Sequence, residues 1–322
     1  MQGLRPRMYN ISSYRSLMED KVRVDAYLGA LQKAVKPGDI VVDLGAGVGT
    51  WAFVSCQLGA KKVYAIEFTP GIHVARQIAA VNSLQDRIEF IQDFSTSVDL
   101  PERADVIIFD LHGQHPLYSN SVACIIDARE RFLKPGGTLI PFRETVWACI
   151  LEDTAEYEAC VGFWDAPFHG INMRPGKTFA ADWRYGARPA PGAVVTDKVC
   201  YAELDYRTLQ QTELSAEVSL HVLRDCTGHG SYLWFDSEMW PGIGFSNAPG
   251  QPQTVFAGTF LPFPDPVAMQ RGDEVKLSLS FRLVNTEYVW AWTTRIYGAG
   301  KLKAEFSQST MKHYLPKLDT PR

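Results

Sequence analysis

A strand, a glycine-rich turn, a helix and a second strand follow one another between residues 40 and 67, and this stretch constrains the fold most. Residues 40–42 are apolar and lead into Asp43, a pattern typical of an inner parallel strand covered on both faces. Apolar residues recur at helical spacing over 50–59, and a second apolar run ends at Glu67. The turn can lie against a flat ligand because it contains three glycines, Gly45, Gly47 and Gly49.

The spacing of these glycines and the flanking carboxylates indicate a ligand. G-x-G-x-G is one residue shorter than the G-x-G-x-x-G spacing that cradles a pyrophosphate in dinucleotide-binding proteins. Asp43 is placed to meet an ammonium, and Glu67, at the tip of the next strand, is placed to accept both hydroxyls of a ribose. An amino acid joined to a nucleoside describes S-adenosylmethionine. Taken without the carboxylates, the three glycines are also consistent with a tight strand-to-helix turn that binds no ligand.

Two further strand ends carry polar residues, and ligands of open α/β sheets bind at the carboxyl ends of the strands. Asp93 follows the third strand and is placed to reach the adenine edge of a nucleoside; the alternative is a loop carboxylate in water. The loop at 110–118 follows the fourth strand and contains two histidines. This loop is where we expect the acceptor to meet the methyl donor.

Strands and helices alternate up to about residue 142, which predicts an α/β fold with a doubly wound, Rossmann-like sheet. Helices are predicted at 14–34, 72–82 and 121–133, and further strands at 88–91, 105–109 and 138–141 after a turn at 134–137. Strand patterns dominate later and include 144–151, 199–202, 214–220, 233–235, 253–256 and 275–281. We predict a donor-binding domain at 1–142 and a β-barrel (or sandwich) substrate domain at 143–322.

Composition argues against several classes of function. With 32 Lys+Arg and 36 Asp+Glu the formal charge is −4, so nucleic acid is not an expected partner. No apolar run is long enough to span a bilayer, and residues 1–7 lack the apolar core of a signal peptide. The six cysteines are scattered, with no C-x-x-C pair and no His/Cys cluster. We therefore expect reduced thiols, no metal site, no membrane contact and a cytoplasmic protein.

Several motifs together resemble the protein arginine methyltransferases, and more closely their divergent bacterial relatives. The matching segments cover most of the chain: 20–23, 42–47, 59–67, 105–108, 128–137, 163–173 and 253–256. The resemblance implies a class I methyltransferase that binds S-adenosyl-L-methionine, with Arg23 pairing the carboxylate of this donor. The segment that begins at residue 157 is rich in aromatic residues and is predicted to be irregular. The resemblance implies that residues 157–191 form an arm that docks on a partner in a two-fold homodimer.

The loop after the fourth strand departs from this family. The arginine enzymes hold the substrate guanidinium there with two glutamates, because a planar cation with five donors needs two carboxylates. The first position is Asp110, and the second is Ser119, which carries no charge. One lost charge-assisted contact costs about 1.5–3 kcal/mol, so we expect a less charged acceptor. The family's Thr-His-Trp loop is replaced by Pro-Gly-Gln-Pro at 249–252.

The main prediction is therefore methyl transfer to a nitrogen or electron-rich carbon of a small aromatic or heteroaromatic molecule, such as an indole-like natural-product precursor. His112 or His115 is a candidate general base, and Asp110 is a candidate to orient an N–H or accept a proton. Aromatic candidates for the wall of a flat pocket are Tyr14, Tyr118 and Trp164. The alternative for His115 is that it is an exposed loop residue with no catalytic role, and the alternative for Tyr118 is that it packs in the core.

Two other functions remain open. The first is an arginine N-methyltransferase for a peptide, a protein or free arginine, which uses Asp110 with a carboxylate from elsewhere, such as Glu144. The second is a non-catalytic donor-binding or scaffolding protein. The joint presence of Asp43, Glu67 and Arg23 argues against the second, because a scaffold has no chemical need for all three.

Overall fold

The computed structural model describes residues 11–312, and the expectation about a signal peptide concerns a segment outside this range. The helices are α1 (Ile11–Glu19), α2 (Lys21–Ala34), α3 (Thr50–Gln57), α4 (Gly71–Val81), α5 (Ser121–Phe132), α6 (Thr154–Cys160) and α7 (Pro175–Ala181). The strands are β1 (Ile40–Leu44), β2 (Lys62–Ile66), β3 (Ile88–Ile91), β4 (Ala104–Phe109), β5 (Leu133–Ile140), β6 (Arg143–Leu151), β7 (Tyr185–Ala187), β8 (Val199–Asp205), β9 (Leu214–His221), β10 (Cys226–Trp240), β11 (Ile243–Ser246), β12 (Gly258–Met269), β13 (Glu274–Val284), β14 (Glu287–Gly298) and β15 (Lys301–Ser309).

A five-stranded parallel sheet organises the first half of the described chain. Its strand order is β3-β2-β1-β4-β5, and every neighbouring pair is parallel. β1 is buried along its whole length, as expected for the central strand of a parallel sheet. β1, β2 and β4 end side by side at Leu44, Ile66 and Phe109, so the loops that follow them share one edge. The predicted α/β fold class is confirmed.

Two antiparallel sheets form the second half. One has the strand order β7-β12-β10-β6-β8, with β11 paired to β10, and the other has the order β15-β14-β13-β9. β8 contacts β9 and β12 contacts β15, which joins the two sheets, and one hydrophobic core runs from the parallel sheet into both. None of the helices within residues 11–312 combines the length and apolar character needed to cross a bilayer.

Asp20 accounts for two differences from the predicted elements. The single helix predicted over 14–34 is two helices, because the Asp20 side chain accepts a hydrogen bond from the Arg23 N–H and caps a new helix, α2. The strand predicted at 253–256 is an irregular segment. Its Val255 N–H donates to the second oxygen of Asp20 over 2.7 Å, so this N–H is not available to a neighbouring strand.

β5 and the arm also differ from the predictions. The turn expected at 134–137 lies within β5, whose register against β4 shifts at this place. The segment expected to be irregular from residue 157 begins in α6 and continues through a short 3₁₀ turn (Gly162–Asp165), and α7 follows. α6 begins where it does because Asp153 accepts a hydrogen bond from the Glu156 N–H.

Candidate active site

A cavity of about 270 Å³ opens at the carboxyl ends of β1, β2 and β4. Its wall combines the glycine turn, helix α1, the loop after β4 and the turn between β13 and β14. Most of the residues predicted to form the site meet here. The wall includes Tyr14, Arg23, Gly45, Gly47, Glu67, Asp93, Asp110, His112, Tyr118, Ser119 and Glu287.

The glycine turn presents bare backbone to this cavity. Gly45 and Gly47 have φ angles of +75° and +55°, in the left-handed region that favours glycine. A Cβ atom would lie 2.5 Å from the Leu111 side chain at Gly45 and 2.5 Å from the Tyr14 ring at Gly47. The third glycine, Gly49, is the N-cap of α3 with a φ of +87°. A residue with a Cβ atom would therefore clash with a neighbouring side chain at Gly45 and at Gly47.

Glu67 and Asp93 lie at the tips of neighbouring strands. The buried Glu67 carboxylate accepts hydrogen bonds from the Gly47 N–H over 2.9 Å and from the Thr69 N–H over 2.6 Å, which ties the end of β2 to the glycine turn. Asp93 is exposed at the rim. Beside it the rings of Phe68 and Phe94 stack with centroids 4.7 Å apart, and both line the cavity. This end offers carboxylates next to flat apolar surface.

Asp43 does not belong to the wall formed by the described residues. Its carboxylate accepts a hydrogen bond from the Ala52 N–H over 2.9 Å and so fastens β1 to α3. Burial raises the pKa of Asp43 to about 7, although the Ala52 N–H partly offsets this effect. Asp43 is therefore not placed for the expected direct contact with an ammonium in the cavity. It instead stabilises the glycine turn through its hydrogen bond to α3.

Arg23 and Asp110 form a buried ion pair in the wall of the cavity. The Arg23 guanidinium lies 5.5 Å from the ring centroid of Tyr27 and 5.6 Å from that of Trp51. The Tyr27 hydroxyl is 3.3 Å from Asp110 Oδ1. Burial alone raises the pKa of Asp110, but the charges of Arg23 and His112 outweigh it and lower the pKa. Asp110 is therefore an anion at neutral pH.

His112 lies between two carboxylates. Its Nδ1 is 3.2 Å from Asp110 Oδ1, and its Nε2 contacts Glu144 Oε1. Glu144 also accepts hydrogen bonds from the Tyr206 hydroxyl and, over 3.0 Å, from the Ser237 hydroxyl. Burial lowers the pKa of His112, but Glu144 and Asp110 outweigh it and raise the pKa to about 10. His112 is therefore an imidazolium at neutral pH.

This arrangement corrects two expectations. His112 cannot act as a general base near neutral pH, because it is already protonated and both ring nitrogens have carboxylate partners. Glu144 cannot serve as the second acceptor carboxylate, because it is 0% exposed and lies behind His112. Its role is that of a counter-ion.

His115 and Trp164 lie elsewhere. His115 is buried in the core of the antiparallel sheets, where its Nε2 contacts the Tyr201 hydroxyl and its ring stacks on Phe281 at 5.2 Å. Burial, followed by the charge of Arg184, lowers the pKa of His115 to about 3, so its ring is neutral at neutral pH. Trp164 packs within the arm. Neither contributes to the cavity wall formed by the described residues, whereas Tyr118 does.

The sequence did not reveal three parts of this site. Tyr27, Tyr206 and Ser237 complete the hydrogen bonds of the buried carboxylates, but nothing near them in the sequence distinguishes them from core residues. The Phe68–Phe94 stack joins residues from two loops. Glu287 reaches the cavity from a distant hairpin. Within residues 11–312 no cluster of His, Cys, Asp or Glu is suited to hold a metal ion.

Known proteins resemble both halves of the chain. A model of the arginine methyltransferase oligomerisation subdomain matches residues 143–288, and a model of the ribosomal protein L11 methyltransferase (PrmA) matches residues 25–141. Protein arginine N-methyltransferase PRMT10 of Oryza sativa subsp. japonica is 30% identical over an alignment of 341 residues that covers 88% of each chain. This chain belongs to the protein arginine N-methyltransferase family. It is therefore an S-adenosyl-L-methionine-dependent methyltransferase.

A further relative resembles this chain in sequence, and two solved structures resemble it in fold. Protein arginine N-methyltransferase 1 of Schizosaccharomyces pombe is 30% identical over 249 residues, which cover 73% of this chain and 72% of that protein. The Trypanosoma brucei PRMT1 enzyme–prozyme heterotetrameric complex with AdoHcy superposes with a TM-score of 0.86, at 20% identity, over 93% of this chain and 98% of that one. Protein arginine methyltransferase 10 of Arabidopsis thaliana, in an open conformation, superposes with a TM-score of 0.81 at 23% identity. The superposition covers 93% of this chain and 97% of that one.

Proposed function

We propose that this methyltransferase acts on the guanidinium nitrogens of arginine in a peptide or protein. The relatives that match it are named protein arginine N-methyltransferases, which favours this alternative over the small aromatic acceptor that we first expected. The observation that carries the proposal is the Asp110 carboxylate, which lines the cavity and stays anionic at neutral pH. An anion in a poorly solvated cavity suits a cationic acceptor better than a neutral one.

The donor is assigned to the end of the cavity that contains the glycine turn. We infer that Arg23 binds its carboxylate, Glu67 its ribose hydroxyls and Asp93 its adenine edge, against the backbone of Gly45 and Gly47. The residues fit this ligand, because a buried cation, two carboxylates and a bare backbone surface all face one space. When bound, S-adenosyl-L-methionine supplies an electrophilic methyl group on a sulfonium.

Asp110 has two tasks in this scheme: it orients an acceptor N–H and localises electron density on the attacking nitrogen. Direct displacement requires mainly that nucleophile, methyl carbon and sulfur lie in line. The nitrogen gains the methyl carbon as the sulfur–carbon bond breaks and its electron pair stays on sulfur. The nitrogen then loses one proton to solvent or to a carboxylate. His112 supports Asp110 from behind, since an imidazolium at 3.2 Å keeps the carboxylate ionised and fixed.

A small aromatic acceptor remains the second candidate because of Ser119. This residue lines the cavity where the resemblance implies a second glutamate, and it brings no charge. Beside it Tyr14 and Tyr118 offer aromatic surface to a flat molecule. Natural-product biosynthesis would follow from this candidate alone.

Methyl transfer with a labelled donor, offered side by side to an arginine-containing peptide pool and a metabolite extract, tests the proposal. We expect label in methylarginine. Asp110→Asn is expected to lower kcat/KM for the peptide at least about 10-fold through loss of a charge-assisted contact. Asp25→Asn, an exposed aspartate on α2, serves as the control. Label that enters metabolites and no peptide would favour the small-molecule candidate instead.

We further propose a cytoplasmic homodimer with a domain boundary after residue 142 and an arm at about 157–191. The matched subdomain is named for oligomerisation, and it spans the arm. The arm also concentrates exposed apolar side chains, which in a monomer would face water. They are Phe163, Phe168, Ile171, Phe179 and Trp183, each at least 45% exposed.

A further inference from the structure

The turn between β13 and β14 lies against the loop that follows β4. The Ser119 hydroxyl donates a hydrogen bond to the Thr286 carbonyl oxygen over 3.1 Å, although the two residues are 167 positions apart. Ser119, Thr286 and Glu287 all line the cavity that Asp110 lines. The turn therefore brings a carboxylate from the second half of the chain next to the uncharged Ser119.

The backbone fixes the position of Glu287. Val284 and Glu287 pair at the end of the hairpin, and Asn285 has a φ of +59°, a left-handed conformation that asparagine tolerates. The next residue, Tyr288, is buried, and its hydroxyl donates to the Thr212 carbonyl oxygen. Because side chains alternate along a strand, Glu287 projects to the opposite, exposed face.

The charges around the cavity leave Glu287 available. Arg23, Asp110, His112 and Glu144 form two cations and two anions that compensate one another. Within the part of the chain that the structure describes, the Glu287 carboxylate has no hydrogen-bond donor and no ion-pair partner. A cation that enters beside Asp110 adds one positive charge, and none of these four side chains is an anion left without a cation to pair with it. Glu287 can supply that anion at the mouth of the cavity.

We propose that Glu287 provides the second carboxylate for a cationic acceptor and so replaces the charge missing at Ser119. The inference rests on the proposed arginine methylation, because a guanidinium gains most from two carboxylates that approach it from different directions. Asp110 contacts it from the methyl-donor side and Glu287 from the mouth of the cavity. A neutral aromatic acceptor gains nothing from Glu287, so this residue selects for charge.

Steady-state kinetics of Glu287→Gln with an arginine peptide test this assignment. We expect kcat/KM for the peptide to fall about 10-fold, mainly through a higher KM, while the KM for S-adenosyl-L-methionine stays within about 2-fold of wild type. The matched control is Glu274→Gln, at the far end of the same hairpin and outside the cavity wall, which should behave as wild type. The double variant Ser119→Glu/Glu287→Gln returns a carboxylate to the loop and should recover most of the lost activity.

The outcomes separate this inference from the function on which it rests. Equal kinetics for Glu287→Gln and Glu274→Gln, with an active wild type, would overturn the role of Glu287 and leave arginine methylation intact. A loss that extends equally to the KM of the donor, or that Ser119→Glu does not recover, would also overturn it, because it would report a distorted site. A wild type that binds the donor and methylates no arginine would refute both.

Discussion

At the scale of single residues, four buried charges alternate in sign along one row. Arg23 pairs with Asp110, Asp110 with His112, and His112 with Glu144. Each charge has a neighbour of opposite sign, which offsets the cost of removing it from water. Loss of one member therefore leaves a buried charge without compensation, whereas loss of a matched cation and anion does not.

This pairing predicts how variants of His112 and Glu144 behave. His112→Met leaves the Glu144 carboxylate unpaired, so we expect the free energy of unfolding to fall by about 3 kcal/mol or more. In His112→Met/Glu144→Gln both charges are gone, and most of that loss should be recovered. Chemical denaturation followed by circular dichroism measures both. Equal destabilisation of the single and double variants would show that the two residues are not coupled.

The same pair predicts a dependence of stability on pH. The pKa of His112 is raised from 6.5 to about 10, so the folded state binds its proton more tightly than the unfolded state. This contribution is complete below about pH 6.5 and disappears as the pH rises through about 10. The wild type should thus lose stability over this range more steeply than the double variant. His221→Gln, at an exposed histidine, is the control and should keep the wild-type slope.

The sequence indicated the cavity residues of the glycine turn more clearly than the contacts of the loop after β4. Gly47 and Glu67 are recognisable because turn, strand end and carboxylate lie within one short stretch. The pairing of His112 with Glu144 depends on how β6 packs beside the loop after β4, and local sequence does not encode that packing. His115 failed as a candidate for a related reason: Tyr201, Phe281 and the rest of its surroundings come from distant strands.

At the scale of secondary-structure elements, one carboxylate joins the two halves of the chain. Asp20 Oδ1 accepts a hydrogen bond from the Arg23 N–H and caps α2, while Oδ2 accepts one from the Val255 N–H. Apolar periodicity runs through both α1 and α2, so periodicity alone predicts one helix. The break at Asp20 and the irregular segment at 253–256 depend on each other, and neither shows in its own local pattern.

Removal of this carboxylate is predicted to weaken both elements. Asp20→Ala loses a helix cap and leaves the Val255 N–H unpaired, so we expect the free energy of unfolding to fall by about 1–2 kcal/mol. Thermal and chemical denaturation measure the change. Asp25→Ala, exposed in the middle of α2, should differ from wild type by less than about 0.5 kcal/mol. A similar loss for both variants would mean that the cap and the Val255 contact contribute little.

At the scale of the whole molecule, the arm determines the predicted assembly. Phe168 and Ile171 form a small exposed bridge within it, with 58% and 61% of their surfaces accessible. We expect the wild type to have about twice the 36.0 kDa chain mass in light scattering and Phe168→Asp/Ile171→Asp to have the chain mass. Leu302→Asp, at an exposed apolar residue of β15, should remain dimeric. A monomeric wild type, or a dimeric arm variant, would contradict this assembly.

The alternating row of buried charges also has a consequence for descent. Replacement of His112 by an apolar residue leaves the Glu144 anion without its cation. Replacement of Glu144 by an uncharged residue leaves the His112 cation with Asp110 as its one remaining partner in the row. The two positions are thus expected to change together among relatives, as a matched pair or not at all. Correlated substitutions at these two positions in an alignment of relatives would then indicate the contact between β6 and the loop after β4.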